Sequence, residues 1–475
     1  MNCVHSRGMT TIPEIIYPTT TVRRSVYFIA AIVLSGCTMI PPYERPALPV
    51  AGHYPGIDGS SDTPSGTDIA WWNFFTDRSL RQLITLALAN NRDLRVAALN
   101  VEQSQAQYRI SRSAVVPEVD GGGSYNRAHA SGMTSASWNA NVQTTAYEVD
   151  FFGRVRSLNR QALENYFATS EAQRSARISL VAQVADEYFS LKLAEAQLLL
   201  ARQTLEAVKE SKILIQATFD AGESNELDLR TAEGQVQSAE INVLTYERSI
   251  DQSHNALVAL VGSPLPDNQP AARPLDECDL LAEIPPGLPS GLVQRRPDIL
   301  EAEHTLKAAN ANIGAARAAF FPSITLTASS GSTSTELSKL FGSGTGSWSF
   351  SPQVSVPIFT SGRNSANLDA AKISTRIEVA KYEKSIQTAF REVADALVAA
   401  RSLTKEIEAR TMLIRTQQHR YNLAYVRYRK GEDSYLNVLS AQQDLYSAQQ
   451  SCLAVTFSKL SNQISLYKAL GGGWK

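Results

Sequence analysis

Apolar residues return at every seventh position over two long stretches of this chain. From Arg363 to Leu470, Val379, Ile386, Val393, Ala400, Ile407, Ile414, Tyr421 and Tyr428 keep that interval, and Leu439, Tyr446, Leu453, Leu460 and Tyr467 resume it. The stretch holds no proline and one glycine, Gly431, near its middle. A straight helix repeats every ~3.6 residues, so a seam held at seven calls for supercoiled partners. Arg363 to Lys430 would make a rod about 100 Å long at ~1.5 Å per residue. A globular domain has no use for such a rod, which reads as a span across a gap.

Gly153 to Val261 repeats the plan 209 residues earlier. Val184, Leu191, Leu198 and Leu205 stand at the seam positions of Val393, Ala400, Ile407 and Ile414. Val184-Ala185-Asp186 recurs as Val393-Ala394-Asp395, and Phe219-Asp220-Ala221-Gly222-Glu223 as Tyr428-Arg429-Lys430-Gly431-Glu432. The return helix carries Leu229, Val236, Val243, Ile250 and Leu257. Glycine just past a periodic run is a stop signal, and Ser224 or Asn225 can cap the helix that follows. Repetition on this scale marks a duplicated half.

Ahead of each helical hairpin the period drops to two. Val119, Gly121, Gly123 and Tyr125 alternate with Asp120, Gly122, Ser124 and Asn126, while Trp138, Ala140, Val142, Thr144 and Ala146 alternate with polar neighbours. A Gly/Ser-rich loop near 131–135 joins them into a β-hairpin. In the second half Ile324, Leu326 and Ala328, then Trp348, Phe350, Pro352, Val354 and Val356, do the same. About ten residues with one apolar and one uncharged polar face is the pattern of a strand between lipid and water. Four strands cannot close a barrel, and an open edge does not survive in lipid, so several copies must share one barrel or the sheet is soluble. Pro352 lacks a ladder donor and weakens its strand.

The remaining pieces fall between these. Residues 38–70 are rich in Pro, Gly, Ser and Asp and read as extended. Trp71 starts folded structure, and Leu80 to Val115 reads as one helix with Leu83, Leu86, Ala87 and Leu94 on a face. Pro264, Pro266, Pro270, Pro274, Pro285, Pro286, Pro289 and Pro297 mark a connector, after which Pro297-Asp298 opens the second copy of the Leu80 helix. The domain reading is therefore 37–79 extended segment, 80–262 first repeat (strands 119–127 and 137–147, helical hairpin 154–261), 263–296 connector, and 297–475 second repeat (strands 323–331 and 347–356, helical hairpin 363–470).

Composition narrows the function. The 475 residues carry a net charge of −1, which argues against a nucleic-acid partner. Cys3, Cys37, Cys278 and Cys452 form no CxxC pair, and the six histidines form no HExxH, so no metal site, cofactor site or disulfide framework is expected. Glu301 and Glu303 beside His304 read as a charged helix surface. No GxSxG elbow or dinucleotide fingerprint occurs, and no catalytic residue is assigned. At the amino terminus Arg23-Arg24 precede a short apolar run, Val26 to Val33, then Leu34-Ser35-Gly36-Cys37. Too short to cross a bilayer, which needs ~20 apolar residues, the run has the marks of an export signal over residues 1–36.

Leu34-Ser35-Gly36-Cys37 resembles a bacterial lipobox, which implies a diacylated Cys37 as the first mature residue. Thr38 stands where an aspartate would favour inner-membrane retention. Helix, β-hairpin and long helical hairpin, duplicated behind that motif, resemble the TolC-like outer-membrane efflux channel family, NodT-like lipoprotein branch. Arg295-Arg296-Pro297-Asp298, Ala319-Phe320-Phe321-Pro322, Tyr428-Arg429-Lys430-Gly431-Glu432 and Tyr435-Leu436-Asn437-Val438-Leu439 carry the match, which covers essentially the whole mature chain.

The resemblance implies a homotrimer in the outer membrane of a Gram-negative bacterium: a twelve-stranded β-barrel joined to a twelve-helix periplasmic α-barrel, mainly α with membrane β. It implies a passive exit duct of a tripartite pump for small toxic compounds or drugs. The tips, Ala221, Gly222, Glu223, Lys430, Gly431 and Glu432, would meet a periplasmic adaptor tied to an inner-membrane pump. Tyr428, Leu436, Ser440 and Asp444 fall at the periplasmic constriction. Many relatives have aspartate at the position of Ser440 and arginine at that of Gln443, a charged latch this chain lacks. The alternatives left are substitution by Asp444 or Asp433, or closure by Leu436 and Tyr428 alone. An exit duct for protein secretion and a non-conducting envelope-spanning lipoprotein scaffold are the competing functions.

Overall fold

The computed structural model describes residues 38–51, 54, 69–266, 275 and 295–472. In order these form α1 (Trp71–Phe74), α2 (Arg78–Asn90), α3 (Arg92–Ser113), β1 (Asp120–Ala130), β2 (Met133–Val149), α4 (Arg154–Asp220), α5 (Glu226–Val261), α6 (Pro297–Ala318), β3 (Ser323–Ser334), β4 (Gly346–Ser355), α7 (Arg363–Arg429) and α8 (Tyr435–Ala469). Helices α4 and α7 are each 67 residues long, or ~100 Å at ~1.5 Å per residue. Their starts and ends, like the starts of α5 and α8, keep the 209-residue offset read from the sequence. Among the described residues no helix is long and apolar enough to cross a membrane.

Two compact units are built from these elements. The first contains residues 110–161 and 310–372 and is organised by one antiparallel sheet in the order β1-β2-β3-β4. The two-residue turn Ser131-Gly132, with φ of 53° and 80°, joins Ala130 to Met133. Positive φ at both central positions suits the right-handed twist of the flanking strands. The strands run closer to the turn than the Gly/Ser composition around Ser131 to Ser135 suggested, because ladder pairing continues through Ala128–Ser135.

Register sorts the two faces. Tyr125 opposes Trp138, Gly123 opposes Ala140 and Gly121 opposes Val142. On the next ladders Val149 opposes Ile324, which opposes Val354, and Ala328 opposes Phe350. The other face carries Ser124, Asn139, Asn141, Gln143, Thr325, Thr327, Ser349, Ser351 and Gln353. A bulge between Thr144 and Tyr147 corrects the sequence reading, which had put Ala146 on the apolar face. Ala146 has φ of 52° and its amide donates to the Thr327 hydroxyl at 3.1 Å. The extra residue shifts the phase, so Tyr147 and Val149 take over the apolar face. Among the described residues nothing covers that face: Trp348 is 79% exposed, and every residue of β1 and β4 is exposed. Strands β1 and β4 each pair on one side only.

The second unit contains residues 43–109, 162–309 and 373–475. Its main core gathers Phe74, Phe75, Leu80 and Leu83 with Val184, Tyr188 and Phe189 of α4, Ile299 of α6, Tyr382, Ile386 and Val393 of α7, and Ile464 and Tyr467 of α8. Phe74 stacks on Tyr467 with ring centroids 4.1 Å apart. Val184 and Leu198 of the heptad seam are buried, and a second line three residues on, Ala194, Ala201, Val208 and Ile215, is buried beside it. The alanines of that line carry little hydrophobic signal, yet they let neighbouring helices approach.

Two readings of this region change. Leu80 to Val115 is two helices, because Asn91 ends α2 and its side chain accepts from the Leu94 amide at 2.8 Å, capping α3. Glu303 is not on a charged surface: it is 2% exposed, held by Arg45 at 2.7 Å and Lys307 at 3.1 Å. His304 contacts buried Glu164 at 2.7 Å. Most of the Pro-rich connector, and Cys37 with the leader, lie outside the described residues.

Candidate functional site at the hairpin tips

Both helical hairpins turn by the same backbone device. The Gly222 amide donates to Phe219 O at 2.9 Å and the Glu223 amide to Thr218 O at 2.9 Å. Gly431 donates to Tyr428 O at 2.9 Å and Glu432 to Arg427 O at 3.0 Å. This pair of bonds is a Schellman motif, which needs a left-handed residue at its centre; φ is 78° at Gly222 and 72° at Gly431. Asn225 then caps α5 by accepting from the Asp228 amide at 2.9 Å. In the second tip the Asp433 carboxylate accepts from the Ser434 amide at 2.9 Å and from Asn437. Those bonds, with Arg427 nearby, hold the Asp433 pKa below the ordinary carboxylate value. Ala221, Gly222, Glu223, Lys430, Gly431 and Glu432 are all exposed.

Behind the tips a small core joins the two hairpins: Ile215, Leu229 and Ala232 of the first meet Tyr435, Val438 and Leu439 of the second. Tyr428 is half-buried against it, its ring centroid 5.6 Å from that of Tyr435. Burial pushes the Tyr435 hydroxyl up to about 12 and raises Tyr428 as well. Leu436, one residue on, points away from this core and is 66% exposed. A large apolar side chain left out beside a formed core is available to a neighbour.

The polar residues behind Leu436 form two links. Arg420 of α7 pairs with Asp444 of α8, and its Nη2 donates to the Ser440 hydroxyl at 3.3 Å. That link closes within the second hairpin. Gln443 Nε2 donates to Gln235 Oε1 of the first hairpin at 3.3 Å, linking the two. Beside it lies a cavity of about 230 Å³ lined by Gln235, Asn242, Leu439, Gln442, Gln443 and Tyr446. Sequence reasoning singled out Ser440, Gln443 and Asp444 but missed Gln235 and Arg420. No local pattern marks either: the heptad gives the face a residue shares, not its partner on another helix.

Among the described residues no cluster of His, Cys, Asp and Glu could hold a metal, and Cys452 is free. From Leu397 to Arg429, α7 buries no side chain within the chain, and α3 buries none at all.

The family model described as outer membrane efflux protein matches residues 83–263 and 288–472. The antibiotic efflux pump outer membrane protein ArpC of Pseudomonas putida is 47% identical over 461 residues, 94% of each chain. A crystal structure of a membrane protein from Pseudomonas aeruginosa aligns with a TM-score of 0.86 at 42% identity, covering 92% of this chain and 98% of that one. The open state of the MtrE outer membrane channel of Neisseria gonorrhoeae aligns with a TM-score of 0.86 at 40% identity, covering 92% and 99%.

Proposed function

This chain belongs to the outer membrane efflux protein family, and from that premise we propose that three copies form the passive exit duct of a tripartite pump for small toxic compounds. One observation carries the reading: a four-stranded sheet with an uncovered apolar face and two unpaired outer strands. Joining β4 of one copy to β1 of the next removes the open edges, and three copies give twelve strands, enough for a water-filled lumen. The apolar face then meets lipid, and the Ser, Thr, Asn and Gln face meets water. The two repeats, 80–262 and 297–475 around the connector 263–296, supply the four long helices each copy brings to the α-barrel.

The duct lies in the outer membrane, with Cys37 as its lipid anchor. Tips at Ala221, Gly222, Glu223, Lys430, Gly431 and Glu432 receive the periplasmic adaptor, itself bound to the inner-membrane pump. Tyr428, Leu436, Ser440 and Asp444 line the constriction. Leu436 supplies its apolar seal, while the Gln443–Gln235 bond holds the hairpins together in place of a charged latch. Asp444 is engaged by Arg420 and does not act across hairpins. The relatives' efflux roles favour small compounds over secreted proteins.

Conductance in planar bilayers tests this directly. Purified protein is expected to open water-filled channels, and cross-linking is expected to stop at trimers. A chain that conducts nothing and stays monomeric in detergent would sink the proposal in favour of a scaffold.

A further inference from the structure

The duplication supplies an internal comparison for one surface. Where β2 gives way to α4 the chain reads Glu148-Val149-Asp150-Phe151-Phe152-Gly153-Arg154; where β4 gives way to α7 it reads Pro357-Ile358-Phe359-Thr360-Ser361-Gly362-Arg363. Gly153 and Gly362 turn with φ of 75° and 81°, and an arginine opens each long helix. In the first copy every charge is answered. Arg154 Nε donates to Glu148 at 2.8 Å and its Nη2 to the second carboxylate oxygen. Asp150 accepts from the Val155 and Arg156 amides and pairs with the Arg156 side chain at 3.1 Å.

In the second copy both carboxylates are gone, replaced by Pro357 and Phe359 at the matching positions. Arg363 is exposed and forms no ion pair among the described residues. The two junctions line one recess of about 350 Å³, shared by Glu148, Asp150, Arg154, Phe321, Pro357 and Arg363. Glu148 and Asp150 are cancelled by Arg154 and Arg156, so Arg363 leaves one positive charge in excess. The stretch leading from β4 to Arg363 exposes large apolar side chains: Ile358 is 93% exposed, Phe359 86% and Val356 55%. They follow directly on Val354, whose side of β4 is the uncovered face of the sheet, the strand itself ending at Ser355.

A lone guanidinium fringed by large exposed apolar side chains matches a ligand with an anionic head and hydrocarbon tails. A free phosphate would answer the charge and leave the apolar fringe in water. We infer that the β4–α7 junction is a contact site for an anionic phospholipid, Arg363 receiving its phosphate and Val356, Ile358 and Phe359 lying among its acyl chains. The inference rests on the reading that the apolar face of the sheet meets the membrane.

The test reconstitutes the full-length protein into nanodiscs of phosphatidylethanolamine containing a minor share of phosphatidylglycerol, and counts retained lipids by native mass spectrometry after detergent extraction. Wild type is expected to retain phosphatidylglycerol about tenfold over its share, because the ammonium of phosphatidylethanolamine offsets the phosphate charge that Arg363 receives and phosphatidylglycerol has no such group. Arg363→Gln is expected to remove that enrichment and Arg363→Lys, which keeps the charge and leaves the Glu148–Arg154 pair intact, to retain it. Pro357→Glu restores the acid of the first junction, and with Arg363 intact it too is expected to abolish the enrichment. It therefore decides the matter if Arg363→Gln assembles poorly. Equal enrichment in wild type and Pro357→Glu, or none in wild type, overturns the lipid contact. Bilayer conductance of the same preparations is read in parallel, so that failure of the duct reading itself shows as silent wild-type protein.

Discussion

Gln443 shows how far a single residue can be read. That neither it nor Ser440 carries a charge is visible in the sequence. Its partner is not visible, because Gln235 lies 208 residues away on another helix. A neutral amide bond is worth about 0.5–1.5 kcal/mol net and is barely screened by salt. Gln235→Ala is accordingly expected to raise basal bilayer conductance several-fold at every ionic strength, from about tenfold per 1.4 kcal/mol. A rise confined to high salt would instead point to the Arg420–Asp444 pair. Leu436→Ala is expected to raise basal conductance or sensitivity to large antibiotics, and no change in either counts against Leu436 as the seal.

Glu303 makes the same point for stability. Its partner Arg45 sits in a segment with no periodicity to place it, so the residue reads as solvated. In the fold burial pushes its pKa up, but hydrogen bonds from Arg45 and Lys307 outweigh burial and leave it lowered. A lowered carboxylate stabilises the fold above its unfolded pKa and loses that contribution as pH falls through the folded value. The thermal midpoint of wild type should thus fall on acidification below the ordinary carboxylate range. Arg45→Ala should lower the midpoint at neutral pH and flatten that acid dependence; an unchanged midpoint would make the pair incidental.

Among elements, the long helices announced themselves through the heptad and the two glycine stops. Their second buried line did not, since Ala194 and Ala201 look like filler in a sequence. Strand β2 was legible until Thr144, where one inserted residue exchanged the faces; a period-two argument cannot see a bulge that no glycine or proline marks. At Gly331 the backbones of β2 and β3 leave no room for a side chain. A Cβ there would fall 2.1 Å from Ala140 O. Gly331→Val is expected to abolish assembled trimer on semi-native gels, whereas Gly431→Ala, strained but uncrowded, should cost only about 1 kcal/mol.

At the scale of the molecule, the duplication and the need for a shared barrel could be read from the sequence, because four amphipathic strands cannot satisfy their own edges in lipid. What the sequence withheld was the order β1-β2-β3-β4, which sets a strand of each half at each outer edge and brings the halves together at β2–β3. Cross-linking of reconstituted protein should stop at three copies, with larger ladders arguing for a different closure.

Those two unsatisfied outer strands also dictate how a cell would experience damage. A subunit whose β4 is broken still offers a sound β1, so it is recruited and then leaves a gap in the wall. Co-expressed with intact copies, such a subunit would poison its partners, and working ducts would decline as the cube of the sound fraction. Drug tolerance would then fall far faster than protein level, making edge-strand lesions dominant where lesions that prevent folding are recessive.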